Sequence, residues 1–229
     1  MSLSAAMQEY LAEAYRLVYY QADVDGVVST SALAQVMGVT DAATSKMIKR
    51  LAEEGYVERQ PYQGIRLTPQ GEYEALMNIR RHRLVERFLV DVMQFGWHEV
   101  HDDADELGAV VSDWVVDRME QLAGYPRRCP HGEPIPSAEG KMPRVVDYPL
   151  NEIDIERTVV ISRVNTHVAE KLAYIGSLGL LPGTRLTLLE RAPFHGPLQL
   201  DVNGERCVMG YELAGVLRVC SEDEFALTV

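Results

Sequence analysis

TSALAQVMGVTDAATSKMIKRLAEEGYVERQPYQGIRLTP, residues Thr30 to Pro69, decides how the rest of the chain is read. Thr30 stands as a capping hydroxyl before SALAQVMG, a short helical piece stopped by Gly38. Thr40 caps a second helix, DAATSKMIKRLAEEG, which ends at Gly55. Two short helices joined by a Gly-containing turn form the helix-turn-helix pattern. YVERQPYQGIRLT then reads as two short strands about a Pro-Tyr-Gln-Gly turn, the wing of a winged helix. Thr68 and Pro69 open the next helix with a cap and a proline at its first position.

The second helix of the pair takes the place of a recognition helix. Its early residues Thr40, Asp41, Ala42, Ala43, Thr44, Ser45 and Lys46 are mostly small or short and polar, which lets backbone approach base edges and thymine methyls. Lys46, Lys49, Arg50, Arg59 and Arg66 supply a local positive patch for phosphates. The competing reading is a helical hairpin used for packing, with solvated lysines. The wing that follows directly favours DNA.

Before this stretch, Ser4 to Gln21 carries Leu11, Tyr15, Val18 and Tyr19 at helical spacing, and DVDGVV (residues 23–28) reads as a turn. After it, one helix is expected from Gly71 through Gln94, ended by Gly96, and another over residues 102–124. Phe88, Leu89 and Val92 give the first an apolar stripe; Trp114, Val115, Met119 and Leu122 give the second one. Such stripes on paired helices commonly make dimer contacts, with packing inside the chain as the alternative.

Within these helices, His82 and Glu86 stand four apart, as do His101 and Asp105, and Asp102 and Glu106. Four apart on a helix is one face. If two such faces meet, imidazole nitrogens and carboxylate oxygens can enclose a divalent cation. A solvated charged face is the plainer reading of the same spacing.

Residues 125–149, YPRRCPHGEPIPSAEGKMPRVVDYP, read as a linker rich in Pro and Gly. Cys129 and His131 in it are only two donors, and a structural role is the expectation for them. From Ile155 the chain turns to short strands, TVVISRV, RLTLLE, LQLDV, ERCVMG and GVLRV, with a helical piece HVAEKLAYIGSLG after the first. This reads as a small barrel of SH3 type. His167 and Glu170 are expected on one face of that helical piece. The fold class is therefore mainly α with small β. The expected domains are a winged helix-turn-helix (1–74), a helical metal-binding and dimerisation domain (75–125), a linker (126–154) and an SH3-like domain (155–229).

The 229 residues carry a net charge of −12, which argues against constitutive nucleic-acid binding and leaves local patches, or neutralisation by bound cations, as the route to DNA. No apolar run has the length to span a bilayer, and the N-terminus lacks the pattern of a secretory signal. Three scattered cysteines, Cys129, Cys207 and Cys220, form no disulfide or zinc pattern and suit a reducing cytoplasm. No nucleophile motif, Gly-rich phosphate loop or HExxH supports an enzyme.

Taken together, TSALAQVMGVTDAATSKMIKRLAEEGYVE, IRLTPQGE, HRLVERFLVD, VHDDADEL, CPHGEPIP and LGLLPGTRLTLLERAPFHGPLQLDVNGE make the whole chain resemble the diphtheria toxin repressor family of iron- and manganese-dependent regulators. The last piece is similar to the small domain of ferrous-iron transport protein A. The resemblance implies a cytoplasmic homodimer that, when loaded with Mn(II) or Fe(II), binds a palindromic double-stranded DNA operator and controls metal homeostasis genes. It implies no membrane association. By motif, the family's ancillary site falls on His82, Glu86 and His101, with His167 and Glu170 offered by the SH3-like region. The primary site falls on Glu9 and Asp105, but Gly108 and Ala109 stand where two further ligands are usual, leaving Glu106, Asp102 or water as substitutes.

A donor set of oxygen and imidazole nitrogen suits Mn(II) or Fe(II). The expected mechanism is that metal removes repulsion among carboxylates and fixes the separation of two recognition helices, whose half-sites lie about 34 Å or a multiple apart. A metal-independent winged-helix regulator, a metal-dependent hydrolase and a metal-storage or adaptor protein are the rival readings.

Overall fold

The computed structural model describes residues 3–20 and 26–226. Gln21 of the expected first helix and residues 23–25 of the expected turn lie outside the described residues. The chain divides into two units, Met1–Arg81 with Pro136–Met142, and His82–Ile135 with Pro143–Val229.

The first unit holds α1 (Ala5–Tyr20), α2 (Thr30–Val36), α3 (Asp41–Glu53), a hairpin of β1 (Val57–Gln60) and β2 (Gly64–Leu67), and the start of α4 (Pro69–Asp91). The cap of α2 differs from expectation: Ser29 rather than Thr30 accepts the Ala32 N–H, at 3.1 Å. Thr40 caps α3 as its position demands, accepting from Ala43 N at 3.3 Å. Met7, Leu11, Leu33, Ile48, Leu51, Ile65, Leu76 and Ile79 form the core. Each recurs on one face of its element, and each such burial stabilises by about 1.5–3 kcal/mol. β1 and β2 pair antiparallel with Glu58 opposite Arg66, and Val28 bridges Ile65. Gly64 is required there: its φ is +139°, and a Cβ would lie 1.9 Å from the Val28 carbonyl oxygen.

The second unit takes the remainder of α4, then α5 (Val100–Val110), α6 (Asp113–Leu122), and a six-stranded antiparallel sheet with α7 (Ala169–Ser177), α8 (Tyr211–Gly215) and α9 (Glu222–Ala226). The strands are β3 (Tyr148–Pro149), β4 (Thr158–Val164), β5 (Arg185–Arg191), β6 (Leu198–Val202), β7 (Glu205–Met209) and β8 (Leu217–Cys220), in the order β3-β8-β4-β5-β6-β7. Bulges in β4 and β5 re-aim side chains so that one core receives Ile161, Leu186, Leu188, Leu198, Leu200, Leu217 and Val219.

Three features depart from the sequence reading. α4 stops at Asp91: the N–H groups of Val92 and Met93 share the Phe88 carbonyl at 3.0 and 3.2 Å, and Gln94 turns the chain at φ 63°. The single helix expected over 102–124 is two, because Ser112 sits extended at the N-cap of α6 after two β-branched valines that favour helix weakly. The stretch expected to be a linker is packed: Cys129, His131 and Ile135 are buried, and Tyr148–Pro149 joins the sheet as β3.

Candidate metal centre

α4 presents His82 and Glu86 one turn apart and buries both, at 7% and 2% exposure. α5 brings His101 against them. Glu86 Oε1 receives three imidazole nitrogens: His82 Nε2 at 3.1 Å, His101 Nδ1 at 3.3 Å and His131 Nδ1 at 3.3 Å. Among the described residues two triplets of donors gather with their ligand atoms within 4.8 Å of one another: His82, Glu86 and His101, and Glu86, Cys129 and His131. Glu86 belongs to both.

The electrostatics follow from this crowding. Burial alone pushes the His82 imidazole down, but Glu86 and then Asp105 overcome it and raise it to about 9. Burial likewise works against an ionised Glu86, yet His82, His101 and His131 hold it well below the usual carboxylate range. His131 is raised, its burial outweighed by Glu86. Burial and the Glu86 charge push the Cys129 thiol well above its ordinary value. The anionic centre thus draws positive charge, which protonated imidazoles or a metal cation can supply.

Two details fit a cation. His131 Nε2 lies 2.8 Å from the Trp97 carbonyl oxygen, an acceptor only. Nε2 therefore carries the hydrogen in the neutral ring, leaving the Nδ1 lone pair to face Glu86 and Cys129. His82 Nδ1 is 2.7 Å from Asp105 Oδ1, so a second carboxylate reaches the same ring. Donor atoms gathered within 4.8 Å of one another can share a cation, and the mixture of imidazole, carboxylate and one sulfur accommodates a divalent first-row metal.

Asp105 is exposed on α5 and lies at the rim, its Oδ2 4.0 Å from His101 Nε2. His167 is exposed, with its ring stacked on His101 at 4.0 Å between centroids. One expectation needs correction. α7 begins at Ala169, so His167 lies in the loop before it, and Glu170 sits exposed in the first turn; the three-residue spacing does not place them on one helical face. Asp102 and Glu106 are exposed on α5, Gly108 is buried, and Ala109 carries no donor. Glu9 is exposed on α1, in the first unit.

Cys129 and His131 are functional candidates in a segment whose composition reads as a linker. The available signal is the turn itself: Cys-Pro-His-Gly-Glu places two donors on either side of a proline, just before a glycine. Gly132 adopts φ +88°, and a Cβ on it would lie 2.2 Å from the Ser162 carbonyl oxygen.

On the first unit, Thr40, Ala42, Ala43, Ser45, Lys46, Lys49, Arg50, Arg59 and Arg66 are exposed. Thr44 is a correction: it is fully buried, its hydroxyl 3.4 Å from the Tyr10 hydroxyl, because α3 turns this face to the core. Lys49 and Arg50 pair with Glu53 and Glu54 at 3.8 and 3.1 Å, which reduces their share of the positive patch. A cleft of about 650 Å³ between α3 and the wing is lined by Ser29, Ser31, Asp41, Ser45, Arg59 and Gln63.

Three family models match successive parts of the chain. They are the N-terminal DNA-binding domain of iron-dependent repressors (residues 2–65), the metal-binding and dimerisation domain of iron-dependent repressors (68–137) and the FeoA domain (148–220). The diphtheria toxin repressor of Corynebacterium efficiens is 27% identical over 218 residues, covering 90% of this chain and 94% of that protein. Iron-dependent repressor IdeR of Mycobacterium tuberculosis is 26% identical over 223 residues, covering 90% and 95%. A manganese-dependent transcriptional repressor in complex with manganese superposes with a TM-score of 0.86 at 34% identity, over 94% of this chain and 99% of that one. The structure of ScaR with bound Cd2+ gives 0.75 at 28% identity, over 94% and 99%. The chain belongs to the diphtheria toxin repressor family of metal-dependent transcriptional repressors.

Proposed function

We propose that this protein represses transcription when Mn(II) or Fe(II) binds at a centre built on Glu86, and that it acts as a cytoplasmic homodimer on a palindromic operator. The observation that carries the reading is the convergence of His82, His101 and His131 on one buried oxygen of Glu86. His82, Glu86, His101, Cys129 and His131 are the proposed ligands, with Asp105 at the edge of the set. These residues come from α4, α5 and the Cys129–Glu133 turn, and a divalent cation held by them would offset the Glu86 charge and link the three segments.

The residues do the rest. α4 follows the wing directly in sequence, so His82 and Glu86 are covalently continuous with the DNA-reading unit. The exposed Thr40, Ala42, Ala43, Ser45 and Lys46 read the major groove, and Arg59 and Arg66 hold phosphates. Trp114 and Val110 are 76% and 79% exposed, and with Leu122 they offer an apolar face for a second copy. Metal selectivity rests on donor chemistry: the imidazole and carboxylate part of the set favours Mn(II) and Fe(II), while Cys129 adds affinity for softer ions. Crystals grown with Mn(II) test the site directly. Anomalous scattering is expected at Glu86; an ion placed elsewhere, with none at Glu86, contradicts the assignment.

A further inference from the structure

A network of charged side chains, most of them buried, runs through the second unit. Arg83, next to the ligand His82 on α4, donates to Glu133 Oε2 at 3.2 Å and to the Pro134 carbonyl at 2.5 Å. The other oxygen of Glu133 accepts from Arg163 of β4 at 2.9 Å. Arg163 also forks onto Asp147, at 2.7 and 3.1 Å. Asp147 accepts again from Arg218 of β8 at 2.9 Å. Five charges of alternating sign therefore run from the metal-centre helix, through the turn that carries Cys129 and His131, to the sheet. Arg83, Arg163 and Asp147 are 5%, 8% and 8% exposed.

The turn is fastened at the same place by its backbone. Val164 N donates to the His131 carbonyl at 2.9 Å, and Arg128 donates to the Gly132 and Ser162 carbonyls at 2.6 and 3.2 Å. His131 is thus aimed from both sides: its Nε2 is held by the Trp97 carbonyl, and its main chain by β4. Glu133, two residues on, touches both Arg83 and Arg163 through its side chain.

We propose that Glu133 and Arg163 are positioning residues for the metal centre: the Arg83–Glu133–Arg163–Asp147–Arg218 network seats the Cys129–His131 turn on the sheet and so sets the affinity of the Glu86 centre for a divalent cation. This rests on the reading that Glu86, Cys129 and His131 take the metal. The SH3-like domain then contributes to metal sensing through the seat it gives the ligand turn, as well as through any side chain of its own. Outer partners of metal ligands commonly change affinity by about 10–100-fold when removed.

The test uses the full chain and the variants Glu133→Gln, Arg163→Met and Cys129→Ser. Mn(II) affinity is read by competition with a chelating dye. Cd(II) added to the metal-free protein reports Cys129 through the thiolate-to-metal charge-transfer band. Thermal melting of the metal-free variants reads folding separately. Glu133→Gln and Arg163→Met are expected to weaken Mn(II) binding about tenfold or more and to diminish the Cd(II)–thiolate band. A network that only staples the fold lowers the metal-free melting temperature and leaves affinity and band as in the parent protein, and that result overturns the proposal. If Glu133→Gln does not fold, Arg218→Lys at the more exposed end carries the test: a smaller loss of affinity is expected, and parental affinity overturns it. A parent protein whose band is absent, or persists in Cys129→Ser, overturns the ligand reading itself and the proposal with it.

Discussion

Glu86 Oε1 and His131 Nδ1 lie 3.3 Å apart, one on a long helix and the other in a turn rich in proline and glycine. This pair ties together segments that composition alone would separate. It brings the turn to the candidate metal centre, where Glu86 is shared by both donor triplets.

Glu86→Gln keeps the shape and removes the charge that draws the cation. It is expected to weaken Mn(II) binding at least tenfold, and His131→Ala is expected to do the same. Glu170→Ala, exposed on α7, is expected to leave Mn(II) affinity unchanged. Isothermal titration on the three variants checks this, and equal losses in all three refute the assignment.

How much of this was legible beforehand differs by element. The capped helices, the wing and the alternating strands follow from local rules, since Thr40, Gly55 and Thr68 each mark a boundary by their own backbone chemistry. His82, Glu86 and His101 were legible because helical period turns spacing into a shared face. His131 was not, because a turn has no period; its direction depends on the Trp97 carbonyl and on β4, which are distant in sequence. Thr44 misled in the opposite sense: it is polar and lies in a recognition helix, but its phase along α3 faces Tyr10.

The same phase separates two substitutions in α3. Lys46→Ala is expected to weaken DNA binding across sequences and to lower the salt-dependence slope by about one, as loss of one phosphate contact requires. Thr44→Val is expected to cost about 1–3 kcal/mol of stability, by leaving the Tyr10 hydroxyl unpaired, while changing the slope little. Filter binding at several salt concentrations and urea denaturation measure the two effects.

His82 makes the metal-free protein sensitive to base. Its imidazole is raised from 6.5 to about 9 in the fold, so its contribution to stability is fully present below 6.5 and is lost as pH rises through about 9. The melting temperature of metal-free protein is expected to fall over that window, and His82→Gln is expected to flatten the fall. Metal and proton compete for the same ring, so Mn(II) affinity is expected to rise over the same interval. Melting curves and titrations across the window decide both.

Trp114 and Val110 are exposed apolar side chains near the junction of α5 and α6. Replacing both by Glu is expected to cost about 2 kcal/mol or more of association in the proposed dimer. Sedimentation equilibrium reads the change; an unaltered dimer places the interface elsewhere.

The central claim is that metal at Glu86 and DNA binding are one coupled equilibrium. The measurement that tests it most directly is operator affinity of chelator-stripped protein against the same protein saturated with Mn(II), at fixed salt. Loading is expected to tighten binding by about 5–150-fold, with the gain abolished in Glu86→Gln. Equal affinity with and without metal contradicts it.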